Sequence, residues 1–87
     1  MRESQLEQKL VSHITKLGGI AYKFSSPNRR SVPDRLCVMP NGRVFFVELK
    51  AEGKAPTPLQ QHEHETLRAL GHTVLVIDKI GDVYAIA

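Results

Sequence analysis

The run Val44-Phe45-Phe46-Val47-Glu48-Leu49-Lys50 has one good solution in a folded chain, a strand buried on both faces that ends on charge. Side chains alternate along a strand, so Val44, Phe46, Glu48 and Lys50 share one face and Phe45, Val47 and Leu49 the other. Both faces are apolar for most of the run, which places it in the middle of a sheet. A carboxylate and an ammonium at the end of such a strand are costly to bury. They either pair with each other or serve a metal ion or a substrate.

The neighbouring segments supply the rest of the sheet. Asn41-Gly42 is a strong hairpin signal, so Leu36 to Met39 and Arg43 to Leu49 pair antiparallel around it. Residues 3 to 17 carry Leu6, Leu10, Val11, Ile14 and Leu17 at the spacing of an amphipathic helix that ends at Gly18-Gly19. Ile20 to Phe24 reads as a short strand, and Ser25 to Ser31 as a polar loop. Thr57-Pro58-Leu59-Gln60 opens a second helix, with a Thr cap, a Pro at the first position and a Gln three residues after the cap. That helix runs to about Leu70 before Gly71. Thr73 to Ile77 follows as a β-branched strand, and Asp82 to Ile86 is expected as a last one. The order α-β-β-β-α-β, with this final strand in addition, predicts an α/β fold in which a mixed β-sheet is flanked by helices. The strand after helix two is the candidate for parallel pairing.

Eighty-seven residues suffice for one core, so residues 1–87 read as a single domain whose marginal stability favours oligomerisation or a ligand. The single cysteine, Cys37, excludes an internal disulfide framework and a multi-cysteine zinc site, suits a reducing compartment such as the cytoplasm, and reads as a packed thiol. The N-terminus lacks the build of a signal peptide, and no apolar run approaches the ~18 residues of a membrane span. A net charge of +3 with a pI near 9.3 mildly favours an anionic partner such as nucleic acid.

The chemistry-bearing residues converge on the hairpin. Pro33 suits the first position of a strand and aims Asp34 at its start, and the hairpin then lays Asp34 beside Glu48 and Lys50. On helix one both Glu3 and Glu7 lie on the inward arc. Glu3 belongs to the solvated first turn, whereas Glu7, one turn deeper, needs a partner or a role and is the preferred site acid. Carboxylates with a neighbouring lysine and no metal-spaced Cys/His set suit Mg²⁺ or Mn²⁺, the arrangement used in phosphodiester hydrolysis. Arg29, Arg30 and Arg35 flank Asp34 and are expected to contact phosphate. His62 and His64, two apart on a helix, make a poor zinc pair and read as surface residues. Tyr22 and Phe24 share a strand face and read as core.

Ser31-Val32-Pro33-Asp34, Glu48-Leu49-Lys50 and Thr57-Pro58-Leu59-Gln60, preceded by a helix with Glu7 and by Gly18-Gly19, together resemble the PD-(D/E)XK nuclease superfamily, specifically a stand-alone virus-type replication-repair nuclease (VRR-NUC) domain. The resemblance covers nearly the whole chain. It implies a restriction-endonuclease-like fold and a Mg²⁺- or Mn²⁺-dependent DNA endonuclease. Asp34 and Glu48 would be metal-binding acids, the Leu49 backbone carbonyl a further ligand, Lys50 the catalytic lysine, Gln60 a helix glutamine near the water and Glu7 the first-helix acid. It further implies branched DNA as substrate, Holliday-junction-resolvase-like activity and a homodimer. A DNA-binding module that keeps the fold without the chemistry is the alternative. The family often has Gly two residues before the Pro, where this chain has Ser31; if that position needs φ > 0, the loop is strained here.

Overall fold

A computed structural model describes residues 1–87. Helix α1 (Glu3–Lys16) is followed by strand β1 (Ile20–Lys23), β2 (Arg35–Val38), a 3₁₀ turn (Pro40–Gly42), β3 (Val44–Leu49), α2 (Pro58–Ala69), β4 (Val74–Ile77) and α3 (Ile80–Tyr84). The sheet order is β1-β2-β3-β4, antiparallel through β3, with β4 parallel to β3. The α/β fold, the hairpin and the parallel last pairing all follow the reading above. At the turn, Asn41 and Gly42 take φ of 64° and 77°, and the Met39 N–H donates to the Arg43 carbonyl at 2.8 Å.

One face of the sheet carries the core. Leu6, Leu10 and Ile14 of α1 are fully buried and join Ala21, Cys37, Phe45, Val47 and Leu49 in one apolar cluster with Ile77 and Val83. Contact is close at Gly19, where an added Cβ would lie 2.8 Å from the Val38 carbonyl oxygen. Cys37 is the packed thiol expected, its pKa pushed up to about 11 by burial.

The expected strand over Asp82 to Ile86 is instead helix α3 with the residues after it. Ile80, Val83 and Ile86 recur every three positions, which is helical spacing, and all three pack on the core through one face. A strand would have turned alternate residues away from α1. His13 also fixes the segment, its Nε2 lying 2.7 Å from the Ile86 carbonyl oxygen.

The opposite face of the sheet is covered only in part. The register aligns Tyr22, Leu36, Phe46 and Val74 across the four strands. Phe46 packs against Phe24, their ring centres 5.5 Å apart. Tyr22, expected in the core, is instead 52% exposed, as are Ile20 (51%) and Val44 (44%), because α2 lies over the other end of this face.

The loop between β1 and β2 contains the expected strain, for Ser31 has φ of 65°. A left-handed residue with a Cβ costs about 1–2 kcal/mol, of which glycine's greater freedom when unfolded offsets about 0.5–1 kcal/mol. Ser31→Gly should therefore stabilise the protein by about 0.5–1 kcal/mol, a rise of a few degrees in thermal melting for a domain of this size. A fall in melting temperature would show that the serine hydroxyl contributes more than its backbone costs.

Candidate active site

The site grows from the β2–β3 register. Arg35 lies opposite Val47, so one step further along the hairpin Asp34 meets Glu48. The Asp34 Oδ2 accepts the Leu49 N–H at 2.9 Å, which fixes the carboxylate against the end of β3. Pro33, fully buried, anchors the approach. Glu48 is 1% exposed; its Oε2 lies 3.2 Å from the Lys50 Nζ, while its Oε1 is buried with no partner. Burial first, and the neighbouring Asp34 charge second, raise the Glu48 pKa above the usual carboxylate value, against the pull of Lys50.

Helix α2 packs against β4, and its inward face is polar. Thr57 caps it through the Gln60 N–H, and the Gln60 Oε1 accepts the Thr57 N–H at 2.9 Å. Its buried residues are Glu63 and His64, whereas Leu59 points to solvent. Arg29 reaches from the β1–β2 loop and donates through Nε and Nη2 to the two Glu63 oxygens at 3.1 and 2.6 Å. This pair holds the Glu63 pKa below, and the Arg29 pKa above, their ordinary values. His64, read as a surface residue, is instead 1% exposed, with Nε2 buried and unpartnered. Its pKa is lowered, by burial first and then by Arg68 and Lys50.

Asp34, Glu48 and Lys50 are thus brought together as expected, and other expected residues are placed differently. Glu7 is engaged by Arg35, Nε to Oε2 at 2.8 Å, and Arg35 also donates to the Ala21 carbonyl. The helix-one acid whose charge reaches Glu48 is Glu3, one turn earlier. Two of the three arginines assigned to phosphate are therefore already bound to carboxylates, Arg29 to Glu63 and Arg35 to Glu7, because loop and sheet need their own charge partners. Arg30 is exposed and has no carboxylate partner. Gln60 directs its side-chain oxygen to the helix cap and not to the carboxylates. A groove of about 630 Å³ lined by Val44, Leu75 and Ile86 lies apart from all of these residues.

No three His, Cys, Asp or Glu side chains converge anywhere in the molecule. Two carboxylates do, one of them with an orphaned buried oxygen, and a hard cation that keeps several waters and takes substrate phosphate oxygens fits that donor set. Asp34, Glu48 and the Leu49 carbonyl are the groups that would hold it.

No family model matches the sequence. The chain is 59% identical over 78 residues, 90% of its length and 84% of the relative's, to "Putative nuclease p44" of Acyrthosiphon pisum secondary endosymbiont phage 1. A solved structure of a "VRR_NUC domain" superposes with a TM-score of 0.88 at 34% identity, over 93% of this chain and 88% of that one. The chain belongs to the VRR-NUC family. In this VRR-NUC chain the site rests on a sheet end whose charge is only partly compensated, which has a measurable consequence.

Because the folded pKa of Glu48 lies above its unfolded value, proton loss costs more in the folded state. Stability on this account is greatest at low pH and falls as pH rises from the unfolded through the folded pKa. Without divalent metal, Glu48→Gln should melt with wild type near about pH 4 and at or above it near about pH 8, and it should lose any stabilisation by added Mg²⁺ or Mn²⁺. Melting curves with EDTA or metal at several pH values check this. A variant that melts well below wild type at neutral pH would show that the Lys50 pairing outweighs the burial cost.

Proposed function

We propose that this protein is a PD-(D/E)XK-type endonuclease that uses Mg²⁺ or Mn²⁺ to hydrolyse phosphodiester bonds in DNA. The observation that carries the reading is the convergence of Asp34, the buried Glu48 with its free oxygen, and Lys50 at one end of β3. The 59% identity to a chain named a nuclease supports the same class of reaction.

The residues divide the work between them. The bound cation would supply a Lewis acid for the phosphate and a lowered pKa for the attacking water. Asp34 is oriented by the Leu49 N–H, so its other oxygen faces the site at little reorganisation cost. Lys50, seated on Glu48, is a fixed positive charge for the negative charge that develops on the phosphate oxygens as the water attacks and the opposite phosphorus–oxygen bond breaks. Arg30, exposed on the loop that carries Arg29, is the arginine available to the DNA backbone, and Arg29 serves by holding that loop to α2. Branched DNA such as a four-way junction is the proposed substrate, and a homodimer, with two sites related by a two-fold axis, is the proposed assembly. The uncovered sheet face around Ile20, Tyr22 and Val44 supports a partner subunit. A cytoplasmic setting fits the lone buried thiol.

Radiolabelled junction, flap and linear duplex incubated with Mg²⁺, Mn²⁺ or EDTA test the activity. Cleavage is expected with either metal and none with EDTA, and Lys50→Ala should lower the rate on the order of 10²-fold or more while DNA binding persists. Binding without cleavage by the wild-type protein would select the non-catalytic module instead, and near-normal turnover by Lys50→Ala would remove the lysine from the mechanism. Light scattering at micromolar concentration should give the mass of a dimer; a monomer that still cleaves junctions would refute the two-fold assembly.

A further inference from the structure

Only two buried side-chain polar atoms in the molecule lack a hydrogen-bond partner, Glu48 Oε1 and His64 Nε2. Glu48 belongs to the sheet and His64 to α2, where the charges of Lys50 and Asp34 act on the imidazole. Leaving such an atom unpaired costs about 1–3 kcal/mol, so each marks a place where something else completes the bonding. The proposed cation would account for the Glu48 oxygen. It does not account for His64, because Mg²⁺ takes oxygen donors. The adjacent Glu63 does not account for it either, since both Glu63 oxygens are held by Arg29.

We infer that His64 is a further catalytic residue of this site: in the substrate complex its Nε2–H donates to a nonbridging oxygen of the phosphodiester being cleaved. This rests on the nuclease reading above. Burial and the nearby cations keep the imidazole neutral at neutral pH, so it brings a donor into the site without adding charge beside Lys50. A neutral N–H that becomes bonded only when the phosphate arrives is also held in place before the reaction, which is the condition for stabilising developing charge without reorganisation.

Kinetics on the same radiolabelled junction, flap and duplex with Mg²⁺ or Mn²⁺ test the inference, comparing wild type with His64→Gln, His64→Leu and His64→Phe. Gln keeps an N–H near the Nε2 position, whereas Leu and Phe fill the space without one, and thermal melting identifies the folded variants. The folded donor-less variant should lose on the order of 10²-fold in kcat with KM for DNA unchanged, and His64→Gln should stay within about 10-fold of wild type. Of the two phosphorothioate diastereomers at the cleaved bond, one should slow wild type yet add little to the donor-less variant, because sulfur at that position and the mutation remove the same hydrogen bond. A folded His64→Leu or His64→Phe that cleaves like wild type, or phosphorothioate effects that add fully to the mutation for both diastereomers, would overturn the inference while leaving the nuclease reading intact. Failure of the wild-type protein to cleave any of the substrates would overturn both.

Discussion

A carboxylate buried at the end of the central strand is the constraint on which the structure turns. Glu48 is desolvated in a strand that has neighbours on both sides, and desolvating a carboxylate is unfavourable unless charge or hydrogen bonds meet it. Lys50 meets one oxygen and nothing meets the other. Asp34 makes matters worse by adding a second negative charge, and the hairpin register gives it nowhere else to go. The folded chain therefore tolerates an electrostatic deficit at one point that the burial of α1 on the other face of the sheet must outweigh.

Around that deficit the remaining charges are arranged in closed pairs. Arg35 takes Glu7 on the α1 side, and Arg29 takes Glu63 on the α2 side. Each pair joins two parts of the fold, α1 to the sheet and the strained β1–β2 loop to α2. Both Glu63 oxygens are occupied, as is one oxygen of Glu7, and only the Glu48 site presents a buried oxygen with no partner. The polar interior thus separates into linkages that are complete and a cleft that is not.

The sequence revealed the parts governed by periodicity and local backbone chemistry. Leu6, Leu10 and Ile14 repeat at helical spacing, Asn41-Gly42 can scarcely form anything but a tight turn, and alternation in β3 put Glu48 and Lys50 on one face, from which their meeting with Asp34 followed. What was not legible depended on which partner each charged side chain would find. Glu7 and Arg35, far apart in the chain, are joined only once α1 lies on the sheet, and nothing in their own segments distinguishes that outcome from service in the site. His64 was missed because α2 turns Glu63 and His64 inward and Leu59 outward, so a search for an apolar stripe looks at the wrong side. Ile80, Val83 and Ile86 did carry a spacing of three. The β-propensity of Val83 and its neighbours obscured it until packing on α1 decided the matter.

The parallel pairing of β4 with β3 requires a crossover, and here the crossover is α2, so the strand that bears Glu48 is followed directly by the helix that bears Glu63 and His64. Asp34, Glu48, Lys50 and His64 all lie on one uninterrupted stretch, a hairpin and a crossover helix. Bringing them together requires only short loops to close, at a small entropic cost for each. Helices α1 and α3 and strand β1 supply the packing that stabilises this stretch, with only the charge of Glu3 reaching into it. The strand that carries Glu48 on one face carries Phe45, Val47 and Leu49 on the other, inside the same apolar cluster as α1 and α3, so a substitution that reshapes that cluster bears on the position of Glu48 through a single strand.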